Sequence, residues 1–594
     1  MTSTFSACVL LASFGCDGGR IGSNAVENPD SSSAGGAPGI ASGAPSGDGT
    51  KARLTRPSGG GSQSFPDASI LGDGGTSALS TGGKSSTSSA AGRGGSASGG
   101  AASGNGGAAS GSGGTTGSAG KGSGGTPSAG STGLGGAPVN NWTFPLVTSS
   151  NSRYLQDSAG KPFPMLFDAG WGALTQITQA NFQKYIQDRI SKGFDGFEMM
   201  AVGHHPRFAH PPYDFANNLP FTKRLDGSAW SGSLSYANAG TDAPDFTTPN
   251  ETYWTAVDQK MAYLKTSQMV AVLFPAYNGY QGGQEGWMVE MVANGPDKMQ
   301  AYGAWIANRY KSYPNIVWML GGDLGTPPNA YTSDQQAVEE AFTNGLKSVA
   351  TVSTQYSDEW AGSSSGSDIK SISNILFNAL TLNAAYSWNP QTRGMYNQCR
   401  NSYGFNTPTR PAFVQESLYE LNSSPGGGSA PWRQYSWLSD LNTIGGYTFG
   451  NESLWPFVDG TWQGQLNSSG STSAALLNSF IRSIQWWTLV PSGLGGMKVL
   501  VTSNAGSSDD NTVSSAAAAD GSLLVAYVGP AHTGSFDVAM SALKGPARAR
   551  WLDPGSGAFT QIATGLANSG THTFTTPGKD SGGYGDWVLV IDTP

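Results

Sequence analysis

Cysteine, charge and histidine are all scarce in this 594-residue chain. Its three cysteines are Cys8, Cys16 and Cys399, and only Cys399 lies outside the N-terminal quarter. That excludes an internal disulfide in the rest of the chain and any cysteine-rich zinc module. Charged residues make up 12% and the formal charge is -8, so there is no basic face on which nucleic acid could dock. The five histidines, His204, His205, His210, His532 and His572, form neither His-x-His nor His-Glu-x-x-His, so no metal is expected. No Gly-x-Gly-x-x-Gly follows an expected strand and no phosphate-cradling Gly-x-x-x-x-Gly-Lys occurs, so no nucleotide and no other cofactor is implied.

Aromatics are missing from one region alone. Before Trp142 the only ones are Phe5, Phe14 and Phe65, whereas all 17 tryptophans follow position 140. Glycine is distributed the other way, with 38 of 86 in the first 140 positions. A Gly/Ser/Ala/Thr-rich segment with nothing large to bury cannot offset its ordering entropy, so residues 17–138 are expected to be a disordered linker. At that length a flexible coil reaches about 60 Å. Residues 5–14 form an apolar run too short to span a membrane but suited to the core of a signal peptide, which assigns 1–16 to an export signal. Ser13-Phe14-Gly15-Cys16 resembles a lipobox, with Cys16 the lipidation candidate and the only expected link to a membrane. An extracellular or cell-surface location follows as an expectation.

From 141 to about 501, short apolar runs alternate with longer amphipathic segments, the pattern of a parallel sheet with covering helices. Eight strands are expected, at 164–169, 193–202, 269–276, 315–321, 351–356, 375–380, 411–415 and 446–449, with helices between most of them. Trp254, Val257, Met261 and Leu264 show the three- and four-residue spacing of a buried helical stripe. Eight such units suit a (β/α)8 barrel over 139–498, with its active site at the C-terminal strand ends. From 499 to 594 the helical pattern gives way to short alternating strands, the signature of a small β-sandwich.

Two strand ends carry acids. The fourth, Asn315-Ile316-Val317-Trp318-Met319-Leu320-Gly321-Gly322-Asp323, is apolar until it delivers Asp323 to the barrel mouth, and the seventh places Glu416 at the corresponding level. Two carboxylates across one mouth are what glycosidic cleavage needs: one protonates the leaving oxygen, the other attacks the anomeric carbon or activates water. Trp171, Tyr277, Trp360, Tyr419, Tyr447 and Trp455 stand near other strand ends, where sugar rings could stack, and His205 opens a Pro- and aromatic-rich insert at 204–248. A noncatalytic carbohydrate- or matrix-binding surface protein is the alternative reading. A peptidase or metal hydrolase lacks a nucleophile elbow and a metal cluster.

The chain resembles the apiosidase-like glycoside hydrolases, a family formerly known only as a domain of unknown function and often followed by a β domain labelled collagen-binding. The resemblance rests on Arg153-Tyr154-Leu155, Phe167-Asp168-Ala169-Gly170-Trp171, 315–323, 411–420, Gly446-Tyr447-Thr448-Phe449-Gly450, and Arg550-Trp551-Leu552-Asp553-Pro554 in the tail. It implies a barrel hydrolase in which Asp323 is acid/base and Glu416 nucleophile, with retention of configuration, and in which Asp168 and Trp171 line the pocket. A polysaccharide or oligosaccharide is the implied partner of a chain expected to act as a monomer. Gln415 stands where the family usually has glycine.

Overall fold

The computed structural model describes residues 141–594, apart from 235–238, 284, 325–330, 361–363, 388–392, 422–432 and 459. The signal, linker and lipidation expectations, with Cys16, lie outside the described residues.

Eight strands build the barrel: β1 Met165–Ala169, β2 Gly196–Met200, β3 Val270–Phe274, β4 Ile316–Gly321, β5 Gln355–Glu359, β6 Asn383–Ser387, β7 Ala412–Ser417 and β8 Ile444–Phe449. They are hydrogen-bonded in the order β5-β4-β3-β2-β1-β8-β7-β6, and every ladder among them is parallel. A two-residue strand, Ser364–Ser365, adds antiparallel to β6. Between β5 and β6 the ring is joined by the Thr381 and Leu382 amides, which donate to the Tyr356 carbonyl at 2.9 and 3.1 Å. The main covering helices are α1 Gln179–Ser191, α2 Glu251–Thr266, α3 Met288–Arg309, α4 Ser333–Lys347, α5 Asn374–Ala379, α6 Gly394–Gly404, α7 Arg433–Thr443 and α8 Ser469–Ser483.

Each barrel strand is buried on both faces, as a parallel sheet under helices requires. Because side chains alternate along a strand, Met165, Phe167, Ala169, Val270, Val272, Phe274, Val317 and Met319 fill one interior cluster. Phe197, Met199, Ala271, Leu273, Trp318 and Leu320 point the other way, into the layer shared with the helices.

Two of the expected strands are displaced. The fifth is Gln355–Glu359 rather than 351–356: Ser353 turns its hydroxyl onto the Ile316 carbonyl, and the chain becomes extended only where β4 offers a partner. The expected sixth strand, 375–380, is helix α5. Ser373 caps its start by accepting from the Leu376 amide, and Leu376, Phe377 and Ala379 are its buried residues. A short apolar run fits a buried helix as well as a strand, and here the cap decides. The true β6, Asn-Ala-Ala-Tyr-Ser, has no large aliphatic residue.

The C-terminal strands form two sheets. One is six-stranded, in the order Leu489–Pro491, Val513–Ala518, Leu523–Val528, Trp587–Asp592, Ala547–Leu552, Phe559–Leu566; the other joins Val501–Ser503, Ser535–Ala539 and Thr571–Thr575. Leu524, Ala526, Val528, Leu589 and Ile591 of the large sheet pack with Phe536, Val538 and Phe574 of the small one. Its opposite face, with Val525, Tyr527, Val588 and Val590, packs on Trp437, Leu438 and Leu441 of α7. The Trp437 and Tyr527 rings stack at 5.9 Å and 4°. Arg433, at the start of α7, pairs with Asp580 and Asp586 of the tail with all three side chains buried. At the N-terminus of α6, Asp509 accepts from the Met395 and Tyr396 amides at 2.9 and 3.1 Å, where the helix dipole favours a carboxylate. The sandwich is therefore fixed to the barrel by a continuous apolar core with buried polar ties.

Candidate active site

β4 ends in backbone that only glycine accommodates. Gly321 and Gly322 have φ of 77° and 125°. A Cβ would stand 2.3 Å from the Glu359 carbonyl in the first case and 2.4 Å from the Tyr277 ring in the second. The turn continues into Asp323, itself left-handed at φ 53°, and the Gly322 amide ties it to the Glu359 carbonyl at 2.8 Å. A non-glycine residue in that region stores strain, a feature concentrated at functional sites. On the opposite wall the β6–β7 register shifts at Ala385/Tyr386, which sets Tyr386 beside Glu416.

Asp323 and Glu416 line one pocket of about 190 Å³, together with Trp171, Tyr277, Tyr386 and Tyr419. The Trp171 indole N–H donates to the Tyr419 hydroxyl at 2.7 Å, and the Trp171 ring meets Tyr277 edge-on at 5.5 Å. Tyr386 and Tyr419 both hydrogen-bond Glu416, and Tyr386 also bonds Asp323. The outer wall comes from the insert after β2 and the loop after β8. Arg207 lies over the Trp455 ring at 4.7 Å and binds Glu452 through Nη1 to Oε2 at 2.5 Å and Nη2 to its carbonyl at 2.8 Å. His205 stands edge-on to Trp455 at 4.7 Å, with Nε2 3.3 Å from Glu285 Oε2.

Burial raises the acids at the mouth. Asp323 is held well above the usual aspartate range, first by burial and then by the charges of Glu416 and Glu285. Burial also lifts Glu416, to about 7, against the hydrogen bonds from Tyr419 and Tyr386. Beside them Glu359, at the end of β5, is pushed well above its ordinary value by burial and by the Glu416, Asp323 and Glu198 charges. Glu198, from β2, accepts from the Thr448 hydroxyl at 2.9 Å and is raised mainly by burial. An acid kept protonated and a second one supported as a carboxylate are the two states acid-assisted displacement uses.

The structure brings Asp323, Glu416, Trp171, His205, Tyr277, Tyr419 and Trp455 to this pocket. Three expected contacts are elsewhere. Asp168 is out of phase with the barrel interior, pointing at α1, where it accepts from Tyr185 Oη at 2.5 Å and Arg189 Nε at 2.6 Å. Tyr447 likewise points outward, its hydroxyl donating to Asn478 Oδ1 of α8 at 2.9 Å. Trp360 donates its indole N–H to Asp358 and packs edge-on to Tyr331 outside the pocket lining. Sequence reasoning missed Glu359 and Tyr386, because strands five and six were displaced, and Arg207, Glu285 and Glu452, which lie in loops. Glu198 had a signal: a lone glutamate in phase with Gly196 and Met200 in an otherwise apolar strand.

Residues 149–488 match the family described as apiosidase-like, catalytic domain, and residues 498–592 match one described as "putative collagen-binding domain of a collagenase". Among solved structures, one titled glycoside hydrolase is 17% identical with a TM-score of 0.60, covering 76% of this chain and 98% of its own. A glycoside hydrolase family 5 structure from Bacteroides vulgatus is also 17% identical, with a TM-score of 0.59, covering 75% of this chain and 93% of its own. At that identity the likeness shows a shared fold. No curated protein matches the chain. The family match spans more than half of the sequence and takes in every barrel strand: the chain belongs to the apiosidase-like family of glycoside hydrolases.

Proposed function

We propose that the chain hydrolyses glycosidic bonds of a plant or microbial polysaccharide by a two-carboxylate, retaining mechanism, with Asp323 as acid/base and Glu416 as nucleophile. The observation that carries this reading is their shared pocket, walled by Trp171, Tyr277, Tyr419 and Trp455. A sugar ring stacks its apolar face on such walls and orients its anomeric carbon toward the acids. Asp323 gives its proton to the leaving oxygen while a Glu416 oxygen bonds the anomeric carbon, forming a glycosyl-enzyme. Asp323, now ionised, takes a proton from water as the water oxygen displaces Glu416, releasing the sugar with its original configuration. The tyrosine hydroxyls on Glu416 favour its ionised form before attack.

The sandwich is read as a support for the barrel, because its large sheet has one face buried on α7. Action outside the cell, with Cys16 as a lipid anchor, belongs to the same proposal and rests on the apolar run before that cysteine. Release of reducing sugar from a panel of pectic and hemicellulosic polysaccharides, with the first-formed anomer followed by NMR, tests the activity. Release with retained configuration is expected; inversion would remove Glu416 as nucleophile, and silence across the panel would count against the activity itself.

A further inference from the structure

Beside Asp323 and Glu416 stands a buried acid, Glu359, that the mechanism does not use. It is 1% exposed and feels the charges of both. Its carbonyl holds the Gly322 amide that leads into Asp323, and its carboxyl lies within hydrogen-bonding reach of Glu416. Its Oε2 accepts from the Gln415 amide at 3.3 Å, and its buried Oε1 finds no donor among the described residues. A buried carboxylate with one long hydrogen bond and no cation among the described residues is costly, whereas a neutral carboxyl there brings a proton to share.

We infer that Glu359 is a positioning residue of this site, which keeps its own proton and donates it as a hydrogen bond to the Glu416 carboxylate. The surrounding groups agree. Glu416 faces it from β7, Asp323 from the end of β4 and Glu198 from β2, and all are acids whose charge disfavours ionising Glu359. The basic side chains His205 and Arg207 are at the rim and engaged with Glu285 and Glu452. Like charges this close in a dry site cannot all ionise, so a second proton stays in the set besides the one on Asp323. Gln415 turns Oε2 toward itself and leaves the other oxygen to carry the proton. The result is a third hydrogen bond on Glu416, beside those of Tyr386 and Tyr419, that makes its ionised form accessible.

This inference rests on Asp323 and Glu416 as the reacting pair, and its test separates the two. Glu359→Gln keeps a neutral donor of the same shape, while Glu359→Met keeps the volume and removes the donor. The infrared difference spectrum of the full chain at pH 7, parent minus Glu359→Gln, should contain a protonated-carboxyl stretch. On the polysaccharide found by the panel, Glu359→Gln should hold the acidic limb of kcat/KM in place with most activity kept. Glu359→Met should move that limb up by about one pH unit, because Glu416 loses a stabilising hydrogen bond. The inference is overturned if the difference spectrum lacks the carboxyl band, if Glu359→Gln is as inactive as Glu416→Gln, or if Glu359→Met leaves the limb where it was. Should Asp323→Asn and Glu416→Gln stay active, the mechanism falls while the infrared band still reports the proton on Glu359.

Discussion

Replacing Arg189 with methionine isolates a buried charge. Its Nε–Asp168 ion pair is 2.6 Å long with both side chains essentially inaccessible, and its Nη1 also donates to the Leu466 carbonyl and Ser471 Oγ at 3.1 and 3.2 Å. Methionine fills much of the volume but leaves Asp168, among the described residues, with only the Tyr185 hydroxyl. Burial already raises the Asp168 carboxyl despite the guanidinium, so without it the acid must either take up a proton or remain charged in a dry site. Removing one partner of a buried pair costs about 3 to 5 kcal/mol. With an unfolding entropy of about 2 cal/mol/K per residue and about 450 folded residues, that loss lowers Tm by about 4 °C. The double variant Asp168→Leu/Arg189→Met removes both charges and should regain most of the loss, giving a coupling energy of the same sign as the pair. Thermal melts of the parent, both single variants and the double variant make the cycle. Asp168→Asn should lower Tm with KM unchanged well below the melt. The reasoning is refuted if Arg189→Met melts within a degree of the parent, or if Asp168→Asn raises KM tenfold with Tm unmoved, which would return Asp168 to the substrate.

Trp437→Ala removes the ring stacked on Tyr527 and should cost about 3 to 5 kcal/mol, read by chemical denaturation; a change under 1 kcal/mol would mean that the sandwich hardly supports the barrel. Stability should also fall as pH rises from about 5 to 8. Burial lifts Glu339 and Asp509 to about 7 and Asp358 to about 8, so the folded chain holds protons that the unfolded chain has released above its ordinary carboxyl range near 4. With fewer protons bound unfolded than folded, the slope of stability against pH is negative in that window, and a Tm rising from pH 5 to 8 would contradict it.

The acid pair was legible because its strands are. β4 is apolar to its last residue and stops at two glycines, and β7 passes from Ala-Phe-Val into Gln-Glu, so the carboxylates stand out at the ends. Position along a strand was readable, but direction was harder. With both faces of a parallel strand buried, hydrophobicity gives no phase, and Asp168 and Tyr447 were assigned to the interior although their inward neighbours are Ala169 and Thr448. β5 reads Gln-Tyr-Ser-Asp-Glu and hides as a polar segment; its acids are met by Gly366, close against Asp358, and by Gln415, which reaches Glu359 from β7. Arg207, Glu285 and Glu452 meet only because three loops converge, which no local pattern records.

The central claim is that Asp323 and Glu416 act as one catalytic unit. Turnover of Asp323→Asn and Glu416→Gln on the identified polysaccharide, with folding verified by an unchanged melt, measures it most directly. Residues that work as a unit each carry nearly the whole effect, so both variants should lose several orders of magnitude in kcat. Either one retaining activity within a few-fold of the parent would contradict the account.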